Sequence, residues 1–451
     1  MDNYDVAIIG AGQAGVPLAY ALTARNKHVA LIERKHVGGS CVNFGCTPTK
    51  AAITSARLAH LARRASEFGL RIPAVEVDFG AVIRRARGIV DQQRSSLERG
   101  LASIQNLKLI RGHGRLAGRE GEHFRIAAGD TTITAAQVVI DTGTRSLIPS
   151  IDGIGDMEII HAGNWLDHFA LPQRLVVIGA GVIALEMAQF YRRMGSEVVA
   201  IEPMSQIAGS QDPDIAATLQ SILEREGIEF HLESKVERVA RRGDAVVATV
   251  SGGQEIVGSD LFVATGRKPN TDDLGLDSIG VEVQKGIVKV DERLATTVAG
   301  AWAAGDVRGG PMFTHTAWDD HRILLSQLTG DGSRTTDRVV PYAIFTDPEV
   351  GHVGMTETEA KKSGRNFQVV RFEIRRNSKA VELGEPDGCI KVLIDPGTKQ
   401  LLGATILSTE ASELVHIYIE AMTAGLPYTA IRDAIFIHPT LAEAVQSAVT
   451  V

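Results

Sequence analysis

Two cysteines separated by four residues mark the run GGSCVNFGCTPTK, which spans Gly38 to Lys50. Cys41 and Cys46 are two of only three cysteines in the chain. A disulfide between them would close so short a loop that it constrains the unfolded chain little, so stability is a poor reason for it. Two readings remain: a pair of unconnected buried thiols, or a dithiol that is reduced and re-oxidised. Residues five apart on a straight helix are displaced by roughly 7.5 Å along its axis. A disulfide needs α-carbons within about 7 Å. Bridging the pair therefore requires a distorted turn, which Asn43, Gly45 and Pro48 permit. A strained or exposed bridge is also easier to reduce.

The segment that must position this dithiol begins at the N-terminus. DVAIIGAGQAGVPLAYALTARNKHVALIER reads as strand, glycine turn, helix and strand. Gly10, Gly12 and Gly15 follow the G-x-G-x-x-G spacing of a dinucleotide site: a tight turn, a close backbone approach to pyrophosphate, and close packing of helix on strand. The helix N-terminus offers free amides to the phosphates. Glu33, ending the second strand, suits the ribose hydroxyls. The pattern returns in RLVVIGAGVIALEMAQFYRRMGSEVVAIEP, with Gly179, Gly181 and Ala184 in the fingerprint and Glu202 in the place of Glu33. The Glu202 carboxylate attracts a free 2′-hydroxyl and repels a 2′-phosphate, and no arginine occurs in the following PMSQIAGSQD. This favours NAD(H) over NADP(H).

Two complete sites imply two dinucleotides, and an enzyme using both most often pairs a bound flavin with a diffusing nicotinamide. DTGTR and VATGRKP carry Gly143 and Gly266, whose freedom suits chain crossings between domains beside a cofactor. In AWAAGDV, Asp306 follows an apolar strand, where it either caps a helix or binds the ribityl or phosphate groups of a flavin. The remainder, from about residue 339, alternates polar and apolar residues and then turns helical, as a sheet-plus-helix domain does. The expected fold class is α/β, with two Rossmann-like dinucleotide-binding domains and a C-terminal α+β domain.

Composition agrees with a globular protein of several domains. The chain has 451 residues, 44% hydrophobic and 22% charged, enough for several cores. A formal charge of −7 without a basic run argues against nucleic acid or an anionic membrane as partner. The apolar N-terminus starts with Asp2 and Asp5 and is interrupted by glycines, unlike a signal peptide. No run is long enough to span a bilayer. The expectation is a cytoplasmic protein, where thiols are normally reduced and a disulfide is more often catalytic than structural. Cys389, in DGCIKVLID, reads as a buried apolar residue. No residues are assigned to a metal.

The two fingerprints, GGSCVNFGCTPTK, AAGDV, FTDPEVGHVG and the terminal HPTLAE occur in one order along the whole chain. Together they resemble the FAD-dependent pyridine nucleotide–disulfide oxidoreductases, a family that includes lipoamide dehydrogenase, glutathione reductase and mercuric reductase. The resemblance implies an FAD-binding domain in two parts (1–147 and 268–338), an inserted NAD(P)-binding domain (148–267) and a dimerisation domain (339–451). It implies that Cys46 exchanges electrons with the flavin and Cys41 attacks the substrate disulfide. Lys50 matches the family lysine beside the flavin, Glu186 its ion-pair partner, and His315 a flavin-contacting segment. His438 matches the family's base and Glu443 its orienting carboxylate; an imidazole near Cys41 takes and returns the thiol proton at neutral pH. In the family this histidine comes from the second subunit, which implies a homodimer with composite sites.

Departures narrow the branch. Mercuric reductases carry a vicinal cysteine pair near the C-terminus, where this chain reads QSAVTV. Lipoamide dehydrogenases read closer to GGTCLNVGCIPSK and place alanine before the terminal HPT; Phe44, Thr47, Thr49 and Ile437 differ here. PMFTHTAWDD resembles mercuric-reductase-like and reactive-chlorine-resistance flavoproteins. The expected activity passes electrons from NAD(P)H through FAD and Cys41–Cys46 to a small disulfide, quinone or metal ion. Dihydrolipoamide dehydrogenase is one alternative. A redox-sensing flavoprotein without turnover is the other, and intact Cys41, Cys46, His438 and Glu443 argue against it.

Overall fold

The computed structural model describes residues 2–450. Strands β1 (Asp2–Ile9) and β2 (Val29–Glu33) are parallel neighbours, joined by helix α1 (Gly15–Thr23). The outer neighbour of β2 is the parallel strand Leu107–Arg111. On the other side of β1 lies β3 (Thr131–Ile140), also parallel. Its first half pairs antiparallel with a hairpin and its second half pairs parallel with a strand from much later in the chain, Ala301–Ala303. The four-residue core of β1, Val6–Ile9, is buried on both faces, as a central parallel strand requires.

The same arrangement is built a second time. Strand β4 (Arg174–Ile178) leads into a helix over Val182–Met194 and on to β5 (Glu197–Ile201), parallel to β4. The parallel strand β6 (Asp260–Val263) occupies the place that β3 holds in the first sheet. Between the two sheets, the short strands Thr144–Ser146 and Arg267–Pro269 run antiparallel side by side. Gly143 and Gly266 precede them at φ +62° and +132°, the left-handed region that favours glycine. The third sheet is antiparallel throughout, in the order β7 (Pro341–Ile344), β8 (Glu349–Gly354), Leu401–Ser408, Cys389–Ile394, Gln368–Glu373.

Four more helices frame the site: α2 (Gly39–Asn43), α3 (Cys46–Arg63), α4 (Phe79–Ala102) and, numbering the Val182–Met194 helix α5, the later α6 (Thr314–Thr329). The buried face of α3 is made of alanines, among them Ala52, Ala56 and Ala59. Small side chains at a helix contact let the axes approach closely, and α3 packs directly against both α4 and α5. Leu185, Phe190 and Tyr191 of α5 complete this core with Phe79 and Ile83 of α4. The packing thus brings the cysteine helix of the first unit against the fingerprint helix of the second. Among the described residues, no helix is long and apolar enough to cross a membrane.

Candidate active site

Cys41 and Cys46 sit on either side of a helix break. Helix α2 ends at Asn43, Phe44 and Gly45 leave helical geometry, and α3 restarts at Cys46. Gly45 has φ −103° and ψ −116°, far from helical values. This is the distorted turn that the five-residue separation demands. The Asn43 side chain donates to the carbonyls of Val37 (2.9 Å) and Gly39 (2.8 Å), and the Trp165 indole donates to that of Phe44 (2.9 Å). The break is therefore held by hydrogen bonds on both sides.

The two thiols differ electrostatically. The Cys41 thiol is hydrogen-bonded to Cys46 and half-buried, and both effects raise its pKa. Cys46 is held well below the ordinary thiol range, first by that hydrogen bond. Desolvation opposes the shift, while the Thr314 hydroxyl, 3.2 Å from Cys46 Sγ, and the Lys50 ammonium reinforce it. Cys46 also opens α3, where the helix dipole favours an anion. The Thr314 hydroxyl, the Lys50 ammonium and the α3 N-terminus all favour a thiolate at Cys46. Cys46 is exposed, but to the interior of a deep cavity rather than to open solvent.

Lys50, one turn after Cys46, pairs with Glu186 on α5 (Nζ–Oε2 2.8 Å). Glu186 is buried and its other oxygen accepts the Phe345 amide at 2.9 Å. The Phe345 ring lies beneath the lysine, 4.3 Å from Nζ to the ring centroid, a cation–π contact. Three elements distant in sequence thus converge on one ion pair.

Both fingerprints adopt one geometry. Gly10 and Gly179 share φ +110°. A β-carbon on Gly10 would lie 2.1 Å from the Asp141 carbonyl oxygen, and one on Gly179 would lie 2.6 Å from that of Ala264. Each loop is anchored by its acid: Ala11 N–H donates to Glu33 (3.0 Å) and Ala180 N–H to Glu202 (2.7 Å). The third fingerprint position, Gly15 or Ala184, is buried in both. One continuous cavity of about 1590 Å³ runs past Gly10, Gly12, Glu33, Cys41, Cys46, Lys50, Gly179, Gly181 and Glu202. It exceeds the roughly 300–1,000 Å³ of an ordinary ligand pocket, and its two phosphate-type loops fit one dinucleotide each.

Asp141 distinguishes the two units. It stands at the end of β3 where Ala264 stands at the end of β6, and its buried carboxylate accepts the Gly15 amide at 2.7 Å. Burial raises its pKa well above the usual carboxylate value, helped by Asp306 and Asp320 and opposed by the Gly15 and Gly12 amides. Laying VVIDTG over LFVATG in the sequence would have exposed this substitution. Thr314 had no such local signal, since 268 residues separate it from Cys46.

The remaining expectations fall as follows. Asp306 caps no helix; its Oδ2 accepts the Thr144 hydroxyl at 2.7 Å and it lines the cavity. His315 also lines the cavity, bonded through Nε2 to the Pro341 carbonyl (2.7 Å) and stacked on Phe313. Burial lowers its pKa. His438 does not line the cavity and its side chain is 70% exposed. Its Nδ1 lies 3.0 Å from Glu443, whose other oxygen accepts the Thr440 amide at 2.9 Å. The carboxylate holds the ring through Nδ1. Cys389 is fully buried in its strand, and burial raises its pKa to about 11.

Residues 4–320 match the pyridine nucleotide-disulphide oxidoreductase family and residues 340–449 its dimerisation domain. A probable pyridine nucleotide-disulfide oxidoreductase of Escherichia coli K12, RclA, is 34% identical over 449 residues, 98% of each chain. A dihydrolipoyl dehydrogenase of Cupriavidus necator is 32% identical, over 99% of this chain and 97% of the relative. A mercuric reductase of Streptomyces lividans is also 32% identical, over 99% and 95%. The Cu(II) complex of the HOCl-induced flavoprotein disulfide reductase RclA from E. coli superimposes with a TM-score of 0.91, covering 100% of this chain and 99% of that one. The chain belongs to the pyridine nucleotide-disulphide oxidoreductases, flavoenzymes whose members bind FAD and NAD(P)H.

Proposed function

We propose that the protein is an NADH-dependent flavoprotein disulfide oxidoreductase that passes electrons through Cys41 and Cys46 to a small disulfide, quinone or metal-ion acceptor. The observation that carries this reading is the convergence of both dinucleotide loops, the Lys50–Glu186 pair and the Cys46 thiolate position on one cavity. Bound FAD would accept a hydride from the nicotinamide and deliver two electrons to the Cys41–Cys46 disulfide. The Gly10–Gly15 loop and Glu33 would hold it, with Asp306 and His315 along its length. The Gly179–Ala184 loop and Glu202 would hold the nicotinamide dinucleotide, and Glu202 would turn away a 2′-phosphate.

With a disulfide acceptor the remaining steps belong to the protein's own sulfurs. His438, supplied by the second subunit of a homodimer, takes the Cys41 proton. The Cys41 thiolate attacks one acceptor sulfur, forming a mixed disulfide, and the released thiolate takes the proton back from His438. Cys46 then attacks Cys41 Sγ, restores the Cys41–Cys46 bond and releases the second thiolate. Glu443 stabilises the imidazolium formed between these steps. A metal ion is kept among the acceptors because the solved relative named above is a Cu(II) complex.

The test is anaerobic reduction of the FAD-loaded protein by NADH, followed by a panel of disulfides, quinones and Cu(II). Turnover that Cys41→Ser reduces at least about a hundredfold, with reduction by NADH retained, is the expected result. Efficient NAD+ reduction by dihydrolipoamide, with inert acceptors in the other direction, would assign dihydrolipoamide dehydrogenase instead.

A further inference from the structure

Lys50 and Glu186 are not the only place where α3 and α5 are bound together. Arg57 follows Lys50 by seven residues and Arg193 follows Glu186 by seven, so each arginine shares the helical face of its predecessor. One carboxylate holds both: Asp347 takes Arg57 on Oδ1 and Arg193 on Oδ2, the latter at 2.7 Å. Asp347 and Arg193 are buried. Burial opposes ionisation of Asp347, but Arg193 and Arg57 outweigh it and keep the carboxyl below its usual range.

Asp347 lies two residues after Phe345, in the turn between β7 and β8. That turn grips the helix pair at two levels. Phe345 gives its amide to Glu186 and its ring to Lys50. Asp347 binds the two arginines, and its backbone exchanges two hydrogen bonds of 2.8 Å with the Gln189 side chain, between Glu186 and Arg193 on α5. Glu226 takes the remaining charge of Arg193 at 2.7 Å.

We propose that Asp347 is a positioning residue for electron transfer: it fixes α3 and α5 against each other so that Lys50 and Glu186 stay paired at the cavity. The proposal rests on the proposed function, in which the Lys50–Glu186 pair at the cavity serves reduction of the flavin by NADH. Helix α3 belongs to the first dinucleotide unit and α5 to the second, so relative sliding of the units separates Lys50 from Glu186 unless a third element holds both. Asp347 touches no reacting atom and acts only through the pair.

The experiment compares flavin reduction by NADH in the FAD-loaded parent, Asp347→Asn, Glu186→Gln and the double variant. Arg57→Met is the second variant should Asp347→Asn misfold; its side chain is partly exposed and its loss leaves Arg193, Asp347 and Glu226 together. Asp347→Asn and Arg57→Met should each slow reduction about three- to thirtyfold, with the KM for NADH nearly unchanged. The loss should vanish in the Glu186→Gln background. Losses that multiply in the double variant, or a parental rate in either folded single variant, overturn the proposal while leaving the Lys50–Glu186 reading intact. A parental rate in Glu186→Gln itself overturns that reading, and the proposal with it.

Discussion

The division of labour between the two thiols is set by what surrounds each sulfur. Cys46 Sγ lies 3.2 Å from the Thr314 hydroxyl, beside Cys41 and the Lys50 ammonium, all of which favour its thiolate. Thr314→Val removes one charge-assisted hydrogen bond, worth about 1.5 kcal/mol, and should raise the Cys46 pKa by roughly one pH unit. The measurement is the pH midpoint of thiolate ultraviolet absorbance in the reduced protein, with Cys41→Ser as background. Because the pKa is depressed, the thiolate persists below the ordinary thiol range, and the variant should lose it first at mildly acidic to neutral pH. An unmoved midpoint would show that Thr314 does not donate to the sulfur. The cysteines themselves were legible from type and spacing, since five residues on a straight helix cannot meet. Thr314 was not, because a contact across 268 residues leaves no trace in local pattern.

At the scale of elements, the two nucleotide units are one device with one altered part. Their loops share a glycine at φ +110° and a carboxylate holding the second loop amide. The exchange of Ala264 for Asp141 places an acid under the first loop without a cation beside it. A buried carboxyl whose folded pKa is raised holds its proton more tightly in the folded state than in the unfolded one. Stability therefore declines as pH rises above the unfolded value. Asp141→Asn keeps an oxygen for the Gly15 amide and removes that decline. It should raise Tm by roughly 2–4 °C near neutral pH, about 1 kcal/mol for a domain of this size, with a smaller gain in acid. Melting curves across pH check this; parallel curves for both proteins would mean that Asp141 is ionised in the fold. The strand–glycine–helix pattern revealed both units, because fingerprint spacing is a local property. The pairing of Ala301–Ala303 with β3 in the first sheet was not legible, because contacts between segments so far apart leave no local pattern.

For the whole molecule, the decisive fact is that His438 and the cavity holding Cys41 are separate within one chain. Sequence pattern identified the histidine and its carboxylate but not where the pair would act, since docking between copies leaves no periodicity to read. Mixing Cys41→Ser with His438→Ala chains, after dissociation and reassociation, tests the composite arrangement. Each mixed dimer regains one intact site, so a random equal mixture should recover about a quarter of parental activity. Sites confined to single chains would recover none. The histidine is flanked by Ile435 and Ile437, both fully or largely exposed. A solitary subunit whose His438 serves only its partner's sulfurs would lack activity and would leave both isoleucines against water. Dilution to single subunits should then extinguish turnover and reconcentration restore it, whereas activity that survives dilution would show that each chain works alone.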